Sequence, residues 1–158
     1  MKKIITVLLA LTCSYLVSAQ QSDSLNMEAE KAAVKKVVEE FLTAAGNYDL
    51  DAISKLFCEK ANISGASLRD GKWKTYTMTF HEWMERLKTY KEPTKYTEPV
   101  SEFTVHMEMG MLAFVKADAI FTINGEPRNN NLDYFTLIKE DGKWKILNGS
   151  YVSVRLEK

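Results

Sequence analysis

Asp141-Gly142 sits between two segments in which apolar and polar residues alternate, Asp133 to Glu140 and Lys143 to Tyr151. No other feature constrains the fold as tightly. Asp-Gly accepts the positive φ angles of a two-residue hairpin turn, so the flanking segments are predicted to pair antiparallel. A regular hairpin about this turn sets Leu137 opposite Ile146, Phe135 opposite Asn148 and Asp133 opposite Ser150. One face then combines an aromatic ring and aliphatic side chains with polar groups, which suits the wall of a pocket better than a dry core.

Upstream, the spacing of apolar residues predicts helices. From Met27 onward, Ala33, Val34, Val37, Val38, Phe41, Leu42 and Ala45 recur every three or four residues with Lys and Glu between them, the pattern of a long amphipathic helix. Gly46-Asn47 ends it. Asp49 is placed to cap a second helix over Leu50 to Phe57, and Thr79 a third that carries Phe80, Trp83, Met84 and Leu87 on one face. Between these two helices, Ala61 to Leu68 reads as a short strand, 69–72 as a turn and Lys72-Trp73-Lys74 as a continuation of the turn region. Lys91 to Pro99 reads as a linker.

Beyond it, Phe103, Val105, Met107 and Met109 alternate with polar residues. Met111, Ala113, Val115, Ala117, Ala119, Phe121 and Ile123 then form an apolar row facing the core. Asn124 to Asn131 is predicted to be a polar loop. Three helices followed by an antiparallel meander make an α+β domain with helices covering one face of the sheet.

Lys2-Lys3, an apolar run to Val17 and the small residue Ala19 form the pattern of a secretory signal peptide over residues 1–19. The competing reading is a lipoprotein acylated at Cys13. Residues 20–26 are a polar leader and 27–158 a single domain. The predicted product is exported, periplasmic or secreted, and no later segment is apolar enough to span a bilayer. The whole chain has 21 basic and 21 acidic residues. Cleavage removes two lysines and no acid, and the remaining basic residues form no stripe, which excludes a nucleic-acid groove. Cys58 is then the lone cysteine, so no intrachain disulfide forms. With only His81 and His106 beside it, a structural zinc cluster lacks ligands.

The order of elements, the Asn47-Tyr48-Asp49-Leu50-Asp51-Ala52 junction, the Leu56-Phe57 end of the second helix and the closing Gly142-Lys143-Trp144-Lys145-Ile146 together resemble the nuclear transport factor 2-like superfamily. The resemblance is nearest to its SnoaL-like and lumazine-binding groups and runs from Glu28 to about Val154. It implies a cone-shaped curved sheet wrapped around three N-terminal helices, with an open-ended cavity. It also implies a homodimer formed through the outer sheet face, here Tyr134, Ile138, Leu147 and Tyr151.

Within such a cavity, Asp133 is the candidate catalytic group, because burial raises a carboxyl's pKa toward the range of proton transfer. The alternative for Asp133 is a solvated structural carboxylate. His81 is a second catalytic candidate, near the expected mouth but beside its helix's apolar stripe. Asn148, Ser150 and Tyr48 are candidate polar contacts to a ligand, while Phe135, Phe121 and Trp83 are candidate ring contacts that serve equally as core. No motif identifies a reaction. The expected function is a non-enzymatic binder of a small apolar or aromatic molecule, with no cofactor and no metal. One alternative is an isomerase, cyclase or dehydratase working by acid–base chemistry. The other is a protein-interaction module with a filled cavity.

Overall fold

The structure is a computed structural model and describes residues 26–157. The expected signal segment 1–19, Cys13 and the leader up to residue 25 lie outside the described residues. Among the described residues, 26–32 belong to one unit and 33–157 to another. In the first, residues 26–32 are helical and Lys31 pairs with Glu28 at 2.8 Å. The second unit holds the sheet and the candidate site.

The second unit opens with helix α1 (33–47), which buries Val34, Val38, Phe41, Leu42 and Ala45 on one face. It stops where Tyr48 enters the left-handed region, at φ 57°. The Tyr48 and Asp49 amides donate to Ala45 O and Ala44 O and close the helix end. The Asp49 side chain then accepts from the Ala52 amide at 3.0 Å and starts α2 (Leu50–Leu56). Thr79 and Glu82 form a reciprocal capping box on α3 (Phe80–Lys88), which buries Phe80 and Met84.

Six strands follow or interleave: β1 (Phe57–Arg69), β2 (Lys72–Thr79), β3 (Val100–Glu108), β4 (Leu112–Ile123), β5 (Glu126–Glu140) and β6 (Lys143–Arg155). They lie in one open sheet in the order β2-β1-β6-β5-β4-β3. The expected meander is β3 to β6, antiparallel throughout. β1 joins β6 in parallel, because the chain between them is the rest of the domain rather than a tight turn. This is the α+β fold expected, with one parallel joint that alternation alone does not reveal.

Two segments differ from their expected state. Residues 72–79, read in part as a turn, form the edge strand β2, with Trp73 opposite Leu68. Its side chains are mostly exposed, so it lacks the buried apolar row that marks an inner strand. Asn129 to Asn131, read as loop, belong to β5, where pairing to β4 and β6 overrides the low strand propensity of asparagine.

The final hairpin turns at Asp141-Gly142 with φ 49° and 74°, and Leu137 pairs with Ile146 as the turn predicts. Beyond that pair the register departs from the regular one. Leu147 is an extra residue on β6, so Thr136 pairs with Asn148, Phe135 with Gly149 and Asp133 with Tyr151. A single inserted residue reverses which side chains face the interior. Asn148 therefore moves to the outer face. The Ser150 hydroxyl donates to Asn148 Oδ1 at 2.8 Å there. Tyr151, assigned by the regular register to the outer face, turns inward. Of the four residues expected on that face, Tyr134 and Leu147 are exposed, while Ile138 packs against the core.

The core lies between the inner sheet face and the helices. Ala113, Val115, Ala117, Phe135, Leu137 and Ile146 meet Val34, Val38, Phe41 and Ile53. Phe57 stacks on Phe80 at 4.3 Å between ring centroids and meets Phe41 edge-on. The alanines on β4 let the helices approach closely. Gly46 does the same at the end of α1, since a Cβ there would come within 2.3 Å of Tyr96 O. The Tyr96 amide donates to Gly46 O at 3.1 Å, which seats the loop before β3 against the helix end.

Candidate functional site

Past the bulge, a cavity of about 480 Å³ opens between the inner face of the sheet and the helices. β5 supplies Asn131, Asp133 and Phe135 to one wall by strict alternation. β6 adds Tyr151 and Ser153, and β4 adds Phe121 and Ile123. Tyr48 enters from the α1–α2 junction, Trp83 and Leu87 from α3, and Tyr96 and Glu98 from the loop before β3.

Most of the aromatic rings meet edge to face, and Tyr96 and Phe121 meet tilted. Tyr48 meets Tyr90 at 6.3 Å and Tyr96 at 6.2 Å, both near perpendicular. Tyr96 lies 4.6 Å from Phe121, Phe135 stands edge-on to Phe41 at 5.6 Å, and Tyr76 faces Tyr151 at 6.0 Å. Rings held in mutual contact keep their positions without a ligand.

The polar part of the wall is short of partners. Asp133 is 5 % exposed and Asn131 8 %, yet Asp133 Oδ2 and Asn131 Oδ1 have no hydrogen-bond partner within the protein. Asn131 Nδ2 donates to Glu98 Oε1, which fixes the amide so that its carbonyl oxygen is the free end. Buried acceptors left unmade are uncommon and costly. Burial first, then the charges of Glu98 and Asp118, together push the Asp133 carboxyl up to about 8. Glu98 is also raised, by burial, against the opposing effect of the Asn131 bond. Burial lifts the hydroxyls of Tyr48, Tyr76 and Tyr96 above the ordinary phenol value.

Of the residues singled out in the sequence, Asp133, Phe135, Tyr48, Phe121 and Trp83 line this cavity. His81 does not. It is exposed on α3, beside the capping residue Glu82. Asn148 lines a separate shallow groove on the outer face beside His106, Phe114 and Tyr134. Ser150 borders both spaces, with its hydroxyl bonded to Asn148. Sequence reasoning missed Asn131, Glu98, Tyr96 and Tyr151. Asn131 stood two residues before Asp133, and carrying the alternation through the asparagine run would have found it. Glu98 and Tyr96 lie in a proline-flanked loop with no periodicity to place them.

A domain with this bent, open sheet, three helices and a cavity walled by sheet and helix defines the nuclear transport factor 2-like class. Residues 29–152 match the family described as "Putative lumazine-binding", and the chain belongs to that family. Solved structures share the fold at low identity. A function-unknown protein from Mycobacterium tuberculosis aligns with TM-score 0.68 and 14% identity over 83% of this chain and 75% of that one. A nuclear transport factor 2-like protein with a cystatin-like fold from Novosphingobium aromaticivorans aligns with TM-score 0.65 and 12% identity over 84% and 86%. A protein from the same organism titled a putative scytalone dehydratase aligns with TM-score 0.58 and 15% identity over 82% and 87%. No curated protein matches the sequence. Among the described residues, no helix is long and apolar enough to cross a membrane.

Proposed function

We propose that this is an exported binding protein whose cavity holds one small, flat, largely aromatic molecule, without a cofactor. The observation that carries the reading is the cavity of about 480 Å³ that joins a ring-lined wall to two buried oxygens lacking partners. Rings supply area and stacking, and the few polar atoms set orientation. The family's description supports a heterocyclic ligand of the lumazine kind. Mass spectrometry of small molecules that copurify from the native source tests this. A stoichiometric flat heterocycle is the expected result. An empty cavity in every preparation, together with no heat of binding on titration with lumazine, would overturn it.

A second reading has its own support. Asp133 and Glu98 are two carboxyl groups in one wall, each raised by burial and with the Glu98 charge acting on Asp133. Such a pair keeps one proton while the other group ionises, the division of labour that acid–base catalysis needs. Under this reading the protein moves a proton on a hydrophobic substrate, with Asp133 as donor or acceptor and Tyr48 beside the developing oxyanion. A copurifying molecule that turns over during incubation favours it over simple binding.

The outer face of the sheet exposes Phe114, Leu132, Tyr134, Leu147 and Val154. Large apolar side chains exposed on one sheet face support a dimer of two copies stacked sheet to sheet.

A further inference from the structure

Both partnerless oxygens of the cavity wall can accept, Asp133 Oδ2 once its carboxyl has given up its proton. Asn131 Oδ1 accepts only, because its amide nitrogen is already committed to Glu98. Asp133 Oδ2 accepts whenever the carboxyl is ionised. The charges that act on Asp133 are those of two other acids, Glu98 and Asp118, and Lys116 engages Asp118 through its other oxygen at 2.7 Å. Arg69 is the one basic side chain that lines the cavity among the described residues, and it is exposed at the end of β1. The remaining titratable neighbours are tyrosines: Tyr96 and Tyr48 from the loops and Tyr151 from the strand paired with β5. Tyrosine faces are negative at their centres.

Acids with no basic group buried beside them, two buried oxygens that no donor of the protein engages and π faces around them all favour the same ligand property. Resting on the reading of the cavity as a binding site, we propose that its ligand is an organic amine, an aromatic or alkyl body carrying a protonated nitrogen that donates to Asn131 Oδ1 and Asp133 Oδ2 among the tyrosine rings. An ammonium supplies three donors and a full positive charge, and aromatic walls attract it when it is desolvated. A neutral heterocycle would satisfy the oxygens but leave the acid pair without a counter-charge.

The proton balance gives this a signature. In the empty cavity Asp133 keeps its proton up to about pH 8, and an incoming cation displaces that proton. Affinity for an amine therefore rises with pH up to that range, while affinity for a neutral molecule does not.

Titration calorimetry on the whole protein, with tryptamine and its uncharged isostere 3-propylindole, tests the proposal. The expected result at pH 8 is roughly tenfold tighter binding of tryptamine, strengthening from pH 6 to pH 8. Asp133→Asn and Glu98→Gln, each checked for a cooperative melt, should each weaken tryptamine about tenfold more than they weaken 3-propylindole. Equal or tighter binding of 3-propylindole, or tryptamine affinity indifferent to pH and to both substitutions, overturns the amine while leaving the cavity reading intact. If neither indole binds, the proposal also fails, and the cavity reading falls with it only when lumazine fails to bind as well.

Discussion

The last hairpin contains two regions built from the same pair of strands. Toward the turn, Leu137 and Ile146 are fully buried and Trp144 nearly so, all three within the apolar core. Toward the open end, the same inner face carries Asn131, Asp133 and Ser153, all buried and all polar. The bulge at Leu147 divides them. On one side of it the sheet meets helices that fill the space, and burying side chains there stabilises the fold. On the other side the helices meet the sheet at Phe135 and then leave a gap, and polar groups line a space the side chains do not fill. The contrast teaches that stability and binding capacity are separated along one strand pair, at a position where a single inserted residue changes the bend and the facing of β6.

The sharpest way to break this comparison is to damage the turn half. Ile146→Ala removes a fully buried side chain from a packed site, and the expected loss is about 2–5 kcal/mol in urea unfolding. A loss below about 1 kcal/mol would mean that this half is no better packed than the other.

The open half should respond with the opposite sign. The Asp133 carboxyl, ordinarily at 3.8, holds its proton to about 8 in the folded protein. The folded state therefore binds a proton that the unfolded state releases. Its stability declines as pH rises from about 4 to about 8. Asp133→Asn removes the ionising group. It should match the parent below pH 4 and be more stable at pH 9, by up to about 5 kcal/mol. Parallel stability–pH curves for the two proteins would show that this carboxyl is not held in a dry wall.

The smallest effects sharpen the register. Asn148 and Tyr134 lie on the outer face, so Asn148→Ala and Tyr134→Glu should each change ligand affinity less than about twofold. The monomer's intrinsic stability should shift by no more than about 0.5 kcal/mol. Tyr134→Glu should in addition shift the protein to a monomer in light scattering. Loss of binding in Asn148→Ala would restore the regular hairpin and remove the bulge from the account.

Much of this was legible from local chemistry. The caps at Asp49 and Thr79, the Asp141-Gly142 turn, the alanine row of β4 and the inward placement of Asp133 and Phe135 depend on interactions within a few residues. Spacing and side-chain type express those directly. Asn148 and Tyr151 were misplaced for a different reason. A bulge has no composition of its own, and the pattern Ile146-Leu147-Asn148-Gly149 reads equally well in either register. The partner of Asp133 was hidden as well, because Glu98 reaches it from a loop separated by more than thirty residues and carrying no periodicity.

By itself, the sequence determined the elements, their caps, the final turn and the chemical character of each strand face, because helix and strand periods and turn angles are set by adjacent residues. Only the tertiary structure decided that β1 lies parallel to β6, that Leu147 bulges, and that Glu98, Asn131 and Asp133 share one wall. Those outcomes depend on which distant surfaces pack well enough together to exclude water, and no local stretch of chain encodes that choice.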